Sequence, residues 1–249
     1  MPGDVNCEAV EINGRLGRAR VARVCEDIPA RVCLNGTLAG SFEACQAELD
    51  DLACGFLLCE GLIGAASDIE SISVRDGDVF VKAKAGDVRK AVPGKAFEVN
   101  ALVLLERYCA MDAYSPMRLR TGGNHSAAIF TSAGGVLAYA EDAQRQGALC
   151  KAVGKAASLG YDLGDCYLMA TGRVTPWSVN AVCRAGMPLL ASFGVPTAKA
   201  VEAARRSDLT LVTIAGLSSV VIFSGAGRIV GLPGEDVGLD GLPGLASYR

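Results

Sequence analysis

The chain of 249 residues is short of histidine, of closely spaced cysteine pairs and of basic charge. It holds one histidine, His125, and no Cys-x-x-Cys pair among its ten cysteines. Zinc ribbons and dithiol redox motifs depend on that cysteine spacing, so the sequence supports neither. The net charge is −3, so no basic field is available to bind nucleic acid through its phosphates.

The sequence also lacks an apolar run near the roughly 20 residues that a membrane-spanning helix needs. The N-terminal segment MPGDVNCEAVEING has neither the basic start nor the apolar core of a signal peptide. We therefore expect a cytoplasmic protein without a membrane partner. The cysteines are then expected to be reduced, and free cysteine is often buried like a small apolar residue.

Residues 1–96 are predicted to form a small α/β part. Apolar and polar residues alternate in two strands within 16–36 and in a hairpin over 68–84. Between them, apolar residues at helical spacing predict a helix over 47–63. Its apolar face is formed by Leu49, Leu52, Ala53, Phe56 and Leu57. The segment 85–96 has no clear period and marks the predicted domain boundary.

Residues 97–224 are predicted to form a second domain, in which strands alternate with helices of about a dozen residues. Such alternation is typical of βαβ units and predicts a largely parallel sheet. The first helix, within 97–111, is expected to carry Cys109 on its apolar side. The segment 225–249 is rich in glycine and proline and is interpreted as turns or a loosely held end.

A ligand site is expected where the strands of this second domain end. In open α/β sheets, ligands bind beyond the carboxyl ends of the strands, where the N-termini of helices also point. The segments predicted to reach that edge are 171–173, 194–197 and 214–219, with Arg145 and Lys151 on a neighbouring helix. Glycines, hydroxyl groups and isolated cations beside free backbone N–H groups suit a phosphate-bearing ligand. The alternative is that these residues serve only in turns and helix caps.

His125 has two interpretations at this stage. It could be a hydrogen-bonded histidine at the start of a buried strand, or it could contact a ligand or carry a proton, because histidine titrates near neutral pH. The preceding pair Gly122-Gly123 favours the second interpretation, because glycine allows the backbone to approach a ligand closely.

Several blocks of the chain, taken in order, resemble the FdhD/NarQ family of formate dehydrogenase accessory proteins. The strand and turn Val32–Gly36 come first, followed by a helix similar to the family pattern D-L-A-x-G-F-L-x-x-E-G-I-I. A segment similar to T-G-G-x-H-A-A and a block beginning with Glu-Asp come next. The matching segments are 32–36, 51–63, 121–128, 141–154, 171–173, 195–197 and 209–212.

The resemblance implies a fold and a function. The fold is a small N-terminal α/β part followed by a cytidine-deaminase-like three-layer αβα domain with a mixed sheet. The function is to move persulfide sulfur from a cysteine desulfurase to bis-molybdopterin guanine dinucleotide, the molybdenum or tungsten cofactor of a formate dehydrogenase. The cofactor is bound as cargo, no metal is held by the protein itself, and the formate dehydrogenase catalytic subunit is the client. The resemblance also implies a homodimer.

The positions expected to bind this cofactor combine the resemblance with the strand-edge prediction. They are Gly122, Gly123, His125, Arg145, Lys151, Arg173, Thr197, Ile214, Ala215, Gly216, Leu217, Ser218 and Ser219.

The chain departs from the family where the sulfur chemistry should be. The family carries sulfur on a Cys-x-x-Cys loop, whereas residues 85–100 contain no cysteine. Only a thiolate attacks or holds a persulfide, so a substitute thiol would be required. The candidates are Cys150, which replaces a family aspartate, and Cys109, which is expected to be core. The alternative is a non-catalytic protein that binds the cofactor or a guanine nucleotide, or a divergent relative that uses the cleft for another nucleotide.

Deamination is not expected, despite the deaminase-like fold. Zinc deaminases need H-x-E together with P-C-x-x-C to hold the metal and move protons. Here Ser126 and Ala127 follow His125, and no such cysteine pair exists.

Overall fold

The computed structural model describes residues 4–13, 16–84, 97–111, 115–215 and 219–231. The predicted boundary segment 85–96 and most of the predicted tail 225–249 lie outside these residues. Within the described ranges, no helix is long and apolar enough to cross a membrane.

The N-terminal part contains a separate hairpin and a four-stranded sheet. Strands β1 (Asp4–Asn13) and β2 (Leu16–Cys25) pair with each other in antiparallel fashion. The sheet has the order β4-β3-β6-β5. Its strands are β3 (Ile28–Leu34), β4 (Thr37–Ala44), β5 (Ile69–Arg75) and β6 (Asp78–Ala83). The hairpin predicted over 68–84 is confirmed as β5–β6, and the two strands predicted within 16–36 are confirmed as β2 and β3. Strands β1 and β4 were not predicted.

Helix α1 (Leu49–Glu60) connects the two parts of the molecule. The predicted apolar face is buried, but Cys54, Gly55, Leu58 and Cys59 on the other sides are buried as well. A helix that is apolar all round is buried all round. One side of α1 faces the N-terminal sheet and the other faces a helix of the second part, within one apolar cluster.

The second part is built on a six-stranded sheet with the order β13-β12-β11-β10-β8-β9. Its strands are β8 (His125–Thr131), β9 (Val136–Asp142), β10 (Cys166–Ala170), β11 (Leu189–Ser192), β12 (Thr210–Ala215) and β13 (Ser219–Ser224). A further short pair joins β7 (Val99–Asn100) to β14 (Ile229–Val230).

Only β10–β11 and β11–β12 are parallel in the six-stranded sheet, so the prediction of a largely parallel sheet is wrong. The other three pairings are antiparallel. Strands β8 and β9 are joined by residues 132–135, and β12 and β13 by residues 216–218. Connections this short can join only antiparallel neighbours. The mixed sheet implied by the family resemblance is therefore confirmed.

Helices cover both faces of this sheet. They are α2 (Ala101–Ala110), α3 (Pro116–Thr121), α4 (Arg145–Ser158), α5 (Pro176–Arg184) and α6 (Ala198–Arg206). Successive side chains of a strand point to opposite faces, and β10 shows this clearly. Leu168 packs in the cluster with α1, α4, α5 and α6, whereas Tyr167 and Met169 pack in the cluster with α2. The result is a three-layer arrangement with two apolar cores.

The prediction that Cys109 belongs to the core is wrong. Helix α2 buries Ala101 and Leu104, while Leu102 is 62% exposed and Cys109 is exposed. The partly buried Val103, Leu105 and Tyr108 also pack on the sheet, and Cys109 lies on the exposed side of the helix.

Two glycines allow α1 and α4 to cross at very short distance. A Cβ atom at Gly55 would lie 1.8 Å from the carbonyl oxygen of Cys150. A Cβ atom at Gly154 would lie 2.0 Å from the carbonyl oxygen of Asp51. The obstacles are backbone atoms of the facing helix, which cannot move aside as a flexible side chain could. The crossing therefore requires glycine at both positions.

We predict that Gly55→Ala lowers the free energy of unfolding by at least about 2 kcal/mol, because overpacking forces the helices apart. This loss should appear even though alanine favours an isolated helix over glycine by about 1 kcal/mol. Denaturant unfolding measures the effect. Gly227→Ala is the control, because a Cβ atom there meets no atom within 4 Å. Equal stability of the two variants would contradict the close crossing.

Candidate functional site

One edge of the six-stranded sheet gathers most of the predicted site residues. Strand β8 begins at this edge with His125, which pairs with Asp142 at the end of β9. Strands β10, β11 and β12 end at the same edge, where Ala170 pairs with Ser192 and Ser192 with Thr213. Helices α4, α5 and α6 start there because each follows one of these strand ends. Backbone N–H groups of three helix N-termini are thus directed toward one surface.

Two loops at this edge are held together by hydrogen bonds. The Ser192 hydroxyl donates to the carbonyl oxygen of Gly172 at 2.6 Å and accepts from the Gly194 N–H at 3.2 Å. The N–H of Thr197 donates to the carbonyl oxygen of Val174 at 3.1 Å. The loops after β10 and β11 therefore form one connected surface, as a preorganised binding edge requires.

His125 is half-buried and bonded to Thr171. Its Nδ1 lies 3.1 Å from Thr171 Oγ1, which also accepts from the N–H of Ser126 at 2.9 Å. Burial lowers the pKa of His125 below its usual value, and the positive charges of Arg145 and Arg118 lower it further. Asp142 opposes this shift by a smaller amount. The imidazole is therefore neutral at neutral pH and gains from any nearby anion.

Gly172 leaves the space in which Arg145 crosses the edge. A Cβ atom at Gly172 would lie 2.3 Å from Cδ of Arg145 and 3.2 Å from Cε1 of His125. The Arg145 guanidinium donates to the carbonyl oxygen of Arg173 at 3.1 Å. The side chain of Arg173 is exposed at the same loop. Two guanidinium groups and an imidazole thus share a surface without a carboxylate bonded to either guanidinium among the described contacts.

Lys151 lies inside the protein, behind the edge. Its ammonium group is 2.6 Å from Asp142 Oδ2, and both side chains are fully buried. It also donates to the carbonyl oxygen of Cys45 at 2.9 Å. Asp142 in turn accepts from the N–H of Cys45 at 3.2 Å and of Gln144 at 3.0 Å. Lys151 therefore holds the backbone behind the edge in place. A ligand at the edge could reach Lys151 only if the core opened.

The acidic pair Glu141-Asp142 fixes the segment before His125. Glu141 accepts from the N–H groups of Met117 at 3.0 Å and Arg118 at 2.7 Å, at the start of α3. The carboxylate therefore caps the helix that leads directly into Thr121-Gly122-Gly123. Gly122 ends α3 with φ 69°, a left-handed conformation that favours glycine, and both glycines are exposed.

The remaining predicted residues are distributed as follows. Thr197 is exposed and caps α6 by accepting from the N–H of Ala200 at 3.3 Å. Ile214 is 2% exposed and packs in the core beside α2. Ala215 pairs with Ser219, which is exposed at the same edge. Gly216, Leu217 and Ser218 lie outside the described residues.

The two candidate thiols do not lie at the edge surface. Cys150 is fully buried, and burial together with the neighbouring Cys59 thiol raises its pKa well above the usual value. A fully buried thiol offers no path for a sulfur donor. Cys109 is exposed, but it belongs to α2, which packs on the face of the sheet opposite α4.

The sequence did not indicate a pair of thiols beside the edge. Cys25 at the end of β2 and Cys45 after β4 have their sulfur atoms 3.2 Å apart. Asn124, next to His125, directs its amide group toward Cys45 Sγ at 3.7 Å. Twenty residues separate the two cysteines, so no motif spacing could have indicated the pair. Among the described residues, no group of three or more His, Cys, Asp or Glu side chains is arranged to hold a metal ion.

Comparison with known proteins gives one consistent set of matches. The sequence profile of the FdhD/NarQ family matches residues 25–91 and 83–230. A "Sulfur carrier protein FdhD" from Methanothermobacter thermautotrophicus is 29% identical, over 84% of this chain and 92% of the relative. One from Bordetella parapertussis is 25% identical, over 92% of this chain and 95% of the relative. The crystal structure of a candidate formate dehydrogenase accessory protein from Desulfotalea psychrophila superposes with a TM-score of 0.82 at 24% identity, covering 92% of this chain and all of that one.

We predict that Lys151→Met lowers the free energy of unfolding by about 3–5 kcal/mol at neutral pH, because Asp142 is left buried without its partner. Lys155→Met is the matched control in the same helix. Lys155 pairs with Glu48, but both side chains are 35% exposed, and such a pair contributes less than about 1 kcal/mol. Denaturant unfolding compares the two. Similar losses in both variants would show that the Lys151–Asp142 pair has no special structural role.

Proposed function

The chain belongs to the FdhD/NarQ family, and on that premise we propose that it is an accessory factor in the maturation of a molybdenum or tungsten formate dehydrogenase. Its cargo is bis-molybdopterin guanine dinucleotide, and its client is the formate dehydrogenase catalytic subunit. The names of its relatives, sulfur carrier and formate dehydrogenase accessory protein, support this role. The proposal includes a cytoplasmic homodimer, with a cysteine desulfurase as the sulfur donor.

The observation that carries the proposal is the cationic edge of the six-stranded sheet. Arg145, Arg173 and His125 lie there beside the N-termini of α4, α5 and α6. Phosphates bind where backbone N–H groups and cations converge, and Gly172 keeps the backbone open enough for close approach. The pyrophosphate groups of a guanine dinucleotide carry the negative charge that complements this cationic edge.

The residues at this edge bind the cofactor and orient it. Arg145 and Arg173 would hold phosphate oxygens by charge-assisted hydrogen bonds, which are about twice as strong as neutral ones. His125, neutral and bonded to Thr171, can donate a hydrogen bond or take up a proton as an anion approaches. When bound, the cofactor would supply the metal centre on which the client enzyme depends.

The second candidate function is cofactor or guanine-nucleotide binding without sulfur transfer. It is favoured by the absence of cysteine from residues 85–100, where the family carries its Cys-x-x-Cys pair. The two functions are distinguished in a host that lacks its own family member but produces formate dehydrogenase. Restored formate oxidation by this chain supports sulfur delivery. Cofactor that co-purifies with the chain while the enzyme stays inactive supports the binding function alone.

We predict that Arg145→Ala weakens the binding of GDP at least about tenfold, because a charge-assisted hydrogen bond contributes about 1.5–3 kcal/mol. His125→Ala should also weaken binding while leaving the thermal midpoint nearly unchanged. Calorimetric titration measures both affinities. Arg206→Ala, at the opposite end of α6, is the control and should bind as the wild type does. The phosphate site would be disproved if guanosine bound as tightly as GDP. It would also be disproved if His125→Ala lost as much free energy of unfolding as free energy of binding.

We predict that GDP binds more tightly as the pH falls from about 8 toward 6. In the free protein the pKa of His125 lies below its usual value, so the ring is neutral. A phosphate beside it raises that pKa, so binding takes up a proton and is favoured by acid. In His125→Gln this pH dependence should shrink to that of the nucleotide itself. An unchanged pH profile in the variant would place the phosphate away from His125.

A further inference from the structure

Cys25 and Cys45 form a thiol pair at the border between the N-terminal part and the candidate edge. Their sulfur atoms are 3.2 Å apart, and a disulfide bond needs about 2.0 Å. A movement of roughly 1 Å would therefore join them. Cys25 is partly exposed at the end of β2, whereas Cys45 is fully buried just after β4. One thiol is accessible and the other stands directly behind it.

The pair contacts the segment that contains His125. A Cβ atom at Gly123 would lie 4.0 Å from Cβ of Cys25. The Asn124 amide donates to Met117 Sδ at 2.7 Å and points toward Cys45 Sγ at 3.7 Å. The backbone of Cys45 is held by Asp142 and Lys151, the buried ion pair behind the edge. The thiols are therefore fixed relative to the surface proposed to bind the cofactor.

A polar cavity of about 400 Å³ lies on the face of the β1–β2 hairpin that carries Cys25 and is lined by Asp4, Asn6, Arg23 and Arg120. Asp4 is the cross-strand partner of Cys25, and Arg23 lies two residues before it on the same side of β2. Asp4 pairs with Arg120 at 3.0 Å and with Arg23 at 3.6 Å. Two arginines that can attract an anionic donor therefore line a cavity on the same side of the hairpin as Cys25.

The other close thiol pair has no such access. Cys59 and Cys150 lie between α1 and α4, and both are fully buried. Cys25 thus combines a partner thiol, partial exposure and a position beside the edge.

We propose that Cys25 accepts sulfane sulfur from a persulfide donor and that Cys45 is its resolving thiol. This inference rests on the proposed function, because it identifies the thiols that replace the Cys-x-x-Cys pair of the family. The binding edge and the thiol pair are separate sets of residues, so each can fail alone.

The transfer step is a thiol exchange without net oxidation. The Cys25 thiolate attacks the outer sulfur of a persulfide, R–S–SH; the S–S bond of the donor breaks, and the R–S⁻ leaving group takes a proton. Cys25 then carries S–SH, which can be passed to an acceptor at the edge. Without an acceptor, the Cys45 thiolate attacks Cys25 Sγ and releases HS⁻. The two cysteines are oxidised to a disulfide, the sulfane sulfur is reduced to sulfide, and a dithiol reductant restores the pair.

The surroundings of Cys25 determine its pH dependence. Burial and the Cys45 thiol raise the pKa of Cys25 to about 12, Asp142 raises it slightly, and Asn124 acts in the opposite direction. Cys25 is therefore protonated at neutral pH and resists oxidation in the resting protein. Its reaction rate should rise about tenfold per pH unit between about pH 7 and 9, because the thiolate is the reacting form.

The test uses the full reduced chain and sodium tetrasulfide as the sulfur donor, followed by peptide mass mapping and sulfide assay. We expect a Cys25–Cys45 disulfide in the wild type, formed with release of trisulfide from the donor and of one hydrosulfide from the Cys25 persulfide. Cys45→Ser should instead retain added sulfur on Cys25, and Cys25→Ser should form neither product. Cys109→Ser, on the distant helix α2, is the control and should behave as the wild type. Added sulfur confined to Cys7 or Cys109, without the disulfide, would overturn the proposal.

Two further measurements distinguish a failure of the thiol pair from a failure of the proposed binding site. If Cys45→Ser fails to fold, the Cys25–Cys45 disulfide itself, present in the wild type and in Cys109→Ser but absent from Cys25→Ser, decides the question without it. Binding of GDP by Cys25→Ser should equal that of the wild type. Normal GDP binding without sulfur on Cys25 would reject the thiol pair and leave the proposed site intact, whereas sulfur on Cys25 without GDP binding would reject the site instead.

Discussion

The buried ion pair of Lys151 and Asp142 is the interaction on which the rest of the structure depends. It joins the first turns of α4 to the end of β9, and through Cys45 it holds the end of the N-terminal sheet. Burying two charges is costly unless each is fully paired, so this network has little freedom to adopt another geometry. The candidate edge, the Cys25–Cys45 pair and the crossing of α1 and α4 all adjoin backbone that this ion pair holds in place.

Helix α1, the β5–β6 hairpin and the strand ends show how much the sequence could predict. The periodicity of residues 47–63 predicted α1 and its apolar face, and the Asp76-Gly77 turn predicted β5 and β6. The strand-edge rule predicted that residues 171–173 and 194–197 would meet, and they do. These features could be predicted because they depend on local pattern or on a general rule of α/β topology.

Other features depend on contacts between distant segments, and the sequence alone could not indicate them. Lys151 was expected at the ligand surface because a lone cation near glycines suggests phosphate, but Asp142 holds it in the core. Cys109 looked buried because its neighbours are apolar, yet it lies on the side of α2 that faces away from the sheet. The sheet looked parallel because strands and helices alternate, but β8 and β13 run opposite to the other four strands, to which short connections join them.

The positions of Cys25 and Cys45 in two different sheets have a consequence for the folding of the newly made chain. Cys25 closes the hairpin of β1 and β2, while Cys45 follows the last residue of β4 in a different sheet. The pairing of Ile28 with Ala44 nevertheless brings Cys45 close to the segment that contains Cys25. A β3–β4 hairpin that forms early in folding therefore already holds the two thiols near each other, before the second part of the chain is complete. An oxidant that meets the chain at this stage can tie the hairpin with a disulfide bond before α3 and β8 dock against it.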